Sequence, residues 1–347
     1  MTRSTSAMGA SIAALLLSGC VQFHTGPLPG APQDAAFTDV EGARLRFVDE
    51  GEGPAVVMIH GFGSSLNVWD NVRPALQEDH RVLAMDLKGF GWSDRPEGDY
   101  SPQAQARLVL ALMDQRGIQE ATVVAHSWGS SVALALTLMA PERVRRIALY
   151  SAFVYRDQRN TFAAWADADG MGEALFTMFY DQRPEERVAQ AFFDPDRVPE
   201  AFYDAAAESI ERPGAAAAAL AVTRGMHFEE DRYEEIEQPV LLLWGREDRV
   251  ASVSAGERLY SQLAEADLRV FPRCGHFPMM EAARPSTRAL VRFLAEERAT
   301  VALRPPAPVS SPDPYAPPTE PTVVSEQSEP DVEPSPEVEP AGIEEAP

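Results

Sequence analysis

Cysteine is almost absent from this chain of 347 residues: Cys20 and Cys274 are the only two. That excludes a disulfide-rich framework, so the fold must be held by burial, which a domain of about 250 residues can manage. Basic residues are also scarce. Thirty Lys and Arg face 53 Asp and Glu, leaving a formal charge of −23, which argues against nucleic acid and anionic lipid surfaces as partners. No metal-ligand spacing and no phosphate-cradling loop occurs. Gly61-Phe62-Gly63 lacks the GxGxxG continuation and the acid that would bind a ribose. Neither a metal nor an organic cofactor is therefore expected. The apolar segment Ile12–Leu17 is too short to span a bilayer.

What the chain does have is Ala125-His126-Ser127-Trp128-Gly129. An apolar β run, Ala121-Thr122-Val123-Val124, precedes it, and a helix-like run from Ser130 to Leu136 follows. A serine on such a strand–turn–helix junction stands over the end of a sheet, with a helix N-terminus behind it that favours negative charge. Taken alone, a serine there is more often a helix N-cap. Its partners change the reading. The buried-strand pattern Pro239–Gly245 leads into Arg246-Glu247-Asp248, and the strand candidate Asp267–Phe271 leads into Cys274-Gly275-His276. Ser127, Asp248 and His276 thus occur in the order Ser, Asp, His, which differs from the orders of other serine hydrolase families. A free hydroxyl is a poor nucleophile. An imidazole must take its proton, and a carboxylate must orient that imidazole and stabilise its charge. Glu247 is the nearest rival of Asp248 for the last role.

These motifs resemble the α/β-hydrolase family, over roughly Ala43 to Glu297. His60-Gly61-Phe62-Gly63-Ser64-Ser65 follows the strand candidate Ala55–Ile59. Asp86–Asp94 resembles the family's glycine-rich turn, and Cys274–Glu281 the surroundings of its catalytic histidine. The resemblance implies an α/β fold with a mostly parallel sheet flanked by helices. It also implies an oxyanion hole from the N–H groups of Phe62 and Trp128, and it favours Asp248 over Glu247. Ala125 stands where the elbow pattern usually has glycine; its small side chain fits the same crowded turn. His60 and His126 are read as structural, each bonding the backbone of its own loop, and Cys274 as packing. Tryptophan after the nucleophile is similar to the dehalogenase and epoxide hydrolase branches, whose nucleophile is aspartate. A serine attacking an alkyl carbon would form an ether that water does not cleave. Ser127 therefore points to attack on a carbonyl and an acyl-enzyme.

Helix-like stretches follow the strands at Pro74–Glu78, Pro102–Arg116, Ser131–Ala140, Ser254–Leu263 and Ser286–Glu297, which implies a mostly parallel sheet. The alternation breaks over 152–238, between the expected sixth and seventh strands. Trp165, Phe176, Met178, Phe179, Tyr180, Phe192, Phe193, Phe202 and Tyr203 lie here. By the resemblance this is a helical cap, a few of whose aromatics face the cleft. The expected domains are a core in two parts, 37–151 and 239–303, with the cap between them.

Arg3, the short apolar core and Leu17-Ser18-Gly19-Cys20 have the anatomy of a secretory signal. The ending resembles a bacterial lipoprotein signal, 1–19, cut before an acylated Cys20. Val21 rather than aspartate follows, which by analogy with the enterobacterial sorting pattern points to the outer membrane, facing the periplasm or exterior. If Cys20 is acylated, no intrachain disulfide can form. Residues 20–36, with no helical or strand period, are read as a tether. From Pro305 on, ten acids meet no base; this Pro/Glu-rich tail, 304–347, is expected to be disordered.

The functional expectation is a serine hydrolase cleaving an ester-type bond of a small carbonyl substrate. Carbon–carbon bond hydrolysis, amide cleavage and cofactor-free haloperoxidation remain open on the same three residues. A different class, a catalytically idle lipoprotein scaffold recruiting a partner through its tail, is also open.

Overall fold

A computed structural model describes residues 21–303; the expected signal, Cys20 and the tail lie outside the described residues. An eight-stranded sheet organises them, in the order β1-β2-β4-β3-β5-β6-β7-β8. The strands are β1 (Ala36–Val40), β2 (Ala43–Glu50), β3 (Ala55–Ile59), β4 (Arg81–Met85), β5 (Ala121–His126), β6 (Val144–Tyr150), β7 (Val240–Gly245) and β8 (Ala266–Phe271). β1/β2 and β2/β4 pair antiparallel, and every later pair is parallel.

Burial explains the sequence patterns. β5 and β7 are buried at all six positions, as strands covered on both faces must be, so they read as continuous apolar runs. β2 alternates buried and half-buried residues over its first six positions, the pattern of an antiparallel strand with one wetter face. Two apolar clusters fill the layers on either side. One gathers Val57, Val123, Leu149 and Leu242 against the helices α2 (Pro102–Gln115) and α3 (Gly129–Met139). The other packs Val56, Val124 and Leu241 on Trp69, Leu290 and Leu294. The first helix of the chain's described part, α1 (Arg73–Leu76), is a single turn opened by Pro74.

Between β6 and β7 the chain leaves the sheet and forms α4 (Thr161–Ala166), α5 (Met171–Phe179), α6 (Pro184–Ala191), α7 (Glu200–Glu211) and α8 (Ala215–Arg224). The alanine run of α8 is buried except at the half-buried Ala216, and Ala218 lies close enough to Gly89 that a Cβ there would sit 3.1 Å away. Small side chains bring this helix against the core. After β7 come α9 (Val253–Gln262), α10 (Pro278–Glu281) and α11 (Ala283–Leu303).

The stretch read as a tether differs. Val21–Ala36 is fixed to the domain rather than free of it. Phe23 stacks on Tyr100 at 6.0 Å, Leu28 is buried, and the backbones of His24 and Arg95 exchange two hydrogen bonds of 2.9 and 3.0 Å. Each apolar residue fits a separate recess, so no period arises for the sequence to display. β1 follows directly. It pairs with β2 through the two-residue turn Glu41–Gly42, both at positive φ (48° and 82°), the backbone a tight hairpin requires.

Candidate active site

Ser127 follows the last residue of β5 and precedes α3. Its φ of +51° is left-handed backbone, strained for a non-glycine residue. Its N–H donates to Tyr150 O at 2.9 Å, and its carbonyl accepts from Ser130 N and Phe153 N. The turn is crowded: a Cβ on Gly129 would lie 2.3 Å from His60 O, so only glycine fits two residues after Ser127. Ala125 is fully buried in the strand, where its methyl is accommodated.

The three residues separated by up to 149 positions meet. His276 Nε2 lies 2.9 Å from Ser127 Oγ, and His276 Nδ1 lies 2.9 Å from Asp248 Oδ2 and 3.2 Å from Oδ1. Asp248 sits in the turn after β7, where its Oδ1 also accepts from Val250 N and Ala251 N, each at 2.9 Å. With the carboxylate acting as acceptor, Nδ1 carries the imidazole proton and Nε2 is free to accept the serine's. Glu247 does not share the role: its Oε2 accepts from Cys274 N at 3.0 Å. Cys274 is buried, and burial pushes its thiol well above the usual range, which keeps it from acting as a thiolate.

Phe62 and Trp128 line the same cavity as Ser127 and His276. Among the described residues, neither of their N–H groups has a hydrogen-bond partner, so both donors are available to an oxyanion. The ring of Phe90 meets both side chains edge-on, at 5.4 Å from Phe62 and 5.9 Å from Trp128, and so braces the two loops. The cavity measures about 790 Å³. Of the aromatics expected to face it, Phe176, Phe179, Tyr180 and Phe202 do, together with Phe153 and Phe162. Trp165 and Met178 do not line it; both are exposed.

The two structural histidines differ. His60 bonds its own loop as expected: Nδ1 donates to Gly61 O at 2.7 Å, and Nε2 accepts from Leu87 N at 2.9 Å. His126 reaches across instead, with Nε2 donating to His276 O at 2.9 Å and its ring 4.8 Å from that of His276. It is a positioning residue for the histidine loop. Glu281 is a second such group. Its carboxylate accepts from Gly275 N (2.9 Å), Phe277 N (3.4 Å) and Phe193 N (2.7 Å). With His276 N donating to Ala191 O at 2.7 Å, these bonds join the histidine loop to the end of α6. The sequence shows Glu281 only as part of a motif; a carboxylate five residues after His276 is the one signal it offers.

Burial, and then the neighbouring His276, hold His126 well below the ordinary imidazole value. The folded protein therefore keeps it neutral, while the unfolded chain protonates it below about pH 6.5. The contribution to stability is complete above that pH and is lost as pH falls, at up to about 1.4 kcal/mol per unit. Glutamine can keep the hydrogen bond without titrating. His126→Gln should therefore show a shallower loss of stability than the parent between pH 7.5 and 5.5 in urea unfolding. Equal slopes would refute the assignment.

Comparison with known proteins agrees with this architecture. Residues 54–194 match the family described as alpha/beta hydrolase fold. The chain is 30% identical over 270 residues to a 2-hydroxymuconate semialdehyde hydrolase of Pseudomonas sp. (strain CF600), covering 74% of this chain and 92% of the relative. It is 30% identical over 271 residues to a 2-hydroxy-6-oxononadienedioate/2-hydroxy-6-oxononatrienedioate hydrolase of Comamonas testosteroni, covering 73% and 91%. Among solved structures, a variant of the meta-cleavage product hydrolase from Pseudomonas fluorescens IP01 superposes with a TM-score of 0.64 at 27% identity, covering 76% of this chain and 98% of that one.

Proposed function

We infer the reaction of this chain, which belongs to the alpha/beta hydrolase fold family and is a hydrolase, to be cleavage of an ester-type carbonyl bond through an acyl-enzyme on Ser127. The carrying observation is the line from Asp248 through His276 to Ser127, at 2.9 Å for each nearest contact, on the wall of a cavity of about 790 Å³. Ser127 Oγ bonds to the substrate carbonyl carbon as its proton passes to His276 Nε2. The carbonyl oxygen becomes an oxyanion between the Phe62 and Trp128 N–H groups, each such donor typically contributing about 2.7–4 kcal/mol in the transition state. The tetrahedral adduct collapses, the leaving group departs with the proton from His276, and an acyl ester remains. Water, deprotonated by His276, attacks that ester. Collapse returns the proton to Ser127 and releases the acid. The apolar wall of Phe62, Phe153, Phe176 and Phe202 suits an apolar acyl or alcohol group.

A second reading is carbon–carbon bond hydrolysis on the same residues. The names of the relatives favour it, and Arg187 and Arg249 on the cavity wall could pair with an acidic substrate. A fluorophosphonate probe should label Ser127, located by peptide mass spectrometry. A panel of p-nitrophenyl esters beside a 2-hydroxy-6-oxo-dienoate then separates the readings. A higher kcat/KM on the dienoate than on every ester would move the assignment to the second.

The anchor completes the proposal: Cys20 is acylated, and the enzyme is held in the cell envelope at the outer membrane, facing the periplasm or exterior. The support is the lipoprotein-like ending Leu17-Ser18-Gly19-Cys20. Stable attachment needs more than one acyl chain. Mass spectrometry of the N-terminal peptide should find acyl groups on Cys20, and Cys20→Ala should release the enzyme from the membrane fraction.

A further inference from the structure

Exposed large apolar side chains concentrate in one short part of this molecule. Trp165 (57% exposed), Met171 (53%) and Met178 (51%) stand on α4 and α5, with Phe162 and Phe179 beside them. The other large apolar residues exposed among those described, such as Met139, Tyr260 and Val291, belong to separate elements. Scattered single residues need no partner; a group on two adjoining helices does. α4 and α5 pack on each other, and Phe162 lies 5.3 Å from Phe176. Phe162 and Phe179 also line the cavity, so the exposed apolar face continues into the active-site wall.

Two carboxylates of this region are already engaged, while Asp169, in the exposed connection between α4 and α5, would stay in the headgroup water. Asp167 pairs with Arg159 at 2.7 Å, and Glu173 with Arg224 at 2.7 and 3.0 Å. Bringing this face to a neutral apolar surface would leave neither carboxylate without its cation. The chain's path supplies the occupant. Val21 packs on the cluster of Ala166, Phe176, Tyr180, Ala219 and Leu220, which lies beneath the same helices. The two hydrogen bonds between His24 and Arg95 hold the segment there. Val21, which follows Cys20 in the chain, is the first described residue and lies against the cluster under α4 and α5.

We propose that the exposed face of α4 and α5 docks on a lipid bilayer of neutral headgroups, with Trp165, Met171 and Met178 in its interface. The cavity then takes apolar substrates from the lipid. The orientation rests on the reading of Cys20 as the anchor, because the chain enters the described domain at Val21, against the cluster under α4 and α5. An indole with an apolar body and a polar N–H suits the headgroup depth. The acidic surface of the folded part makes neutral lipid the better match.

The test uses the full chain with vesicles of brominated phosphatidylcholine. Bromine on the acyl chains should quench Trp165, a signal assigned by its loss in Trp165→Phe; Trp69, Trp128 and Trp244 are buried and Trp92 is half-buried on the cavity wall. The double variant Met171→Glu/Met178→Glu, neither residue lining the cavity, should lose the quenching. Its turnover of a long-chain ester carried in the vesicles should fall at least tenfold, with a short soluble ester unaffected. Absence of Trp165 quenching overturns the docking, whatever the state of Cys20. Acyl groups on Cys20 without quenching would leave the anchor standing and the docking refuted. Quenching with unmodified Cys20 would do the reverse. Sedimentation of a dimer that the double variant dissolves, without quenching, would assign the face to a second copy of the chain and likewise overturn the proposal.

Discussion

Replacing Ser127 with alanine is expected to lower kcat by about 10⁶-fold, the scale seen when a nucleophile that works as a unit with its base is lost. Only the hydroxyl goes. The described contacts of Ser127 in the turn are backbone hydrogen bonds to Tyr150, Ser130 and Phe153, and these remain. The Oγ contact with His276 is the one removed. The fold should persist, with unfolding free energy changed by no more than about 1 kcal/mol. A companion variant separates chemistry from backbone strain. Ser127 holds φ at +51°, a conformation costing a non-glycine residue of order 1–3 kcal/mol. Ser127→Gly should therefore be as inactive as Ser127→Ala but more stable in urea unfolding. Activity of Ser127→Ala on esters within tenfold of the parent would remove the nucleophile assignment. Inactivity with loss of the near-ultraviolet circular dichroism would instead show a folding defect, which Ser127→Gly is placed to distinguish.

The sequence shows most plainly what burial repeats along one element. β3, β5 and β7 are covered on both faces, so each appears as an unbroken apolar run, and the residues following β5 and β7 are the ones a hydrolase places over the sheet edge. Gly129 is legible for the same kind of reason: its site has no room for a Cβ beside His60 O. Contacts that join distant segments one residue at a time leave no such pattern. Val21, Phe23 and Leu28 each enter a different recess, so the segment looks like a linker. The acceptor of His126 lies 150 positions away on His276, and nothing near His126 announces it. Glu281 receives amides from both the histidine loop and Phe193, a junction that exists only once α6 has folded back. In the helices between β6 and β7 the aromatics facing the cavity and those facing solvent are chemically alike. Only the three-dimensional arrangement separates Phe176 and Phe202 on the wall from Trp165 outside.

Asp248→Asn is expected to lower kcat by about 10⁴-fold with little change in KM, because it alters the proton on His276 while leaving the shape intact. The Asp248 side chain is fully buried, and both its oxygens face His276 Nδ1, at 2.9 and 3.2 Å. Oδ1 is additionally tied to Val250 N and Ala251 N. An asparagine carbonyl oxygen can keep those two backbone bonds, which places its NH₂ toward Nδ1. Two donors cannot share that contact, so the imidazole proton moves to Nε2. Nε2 then has no lone pair for the proton of Ser127, and the hydroxyl stays unactivated. Fluorophosphonate labelling of Ser127 should slow in proportion to turnover, since both need the same base. Glu247→Gln supplies the contrast: its carboxylate holds Cys274 N, not His276, so activity should remain within a few-fold. If Asp248→Asn kept activity within tenfold while Glu247→Gln lost it, the orienting carboxylate would be Glu247, and the turn after β7 would have to rearrange before catalysis.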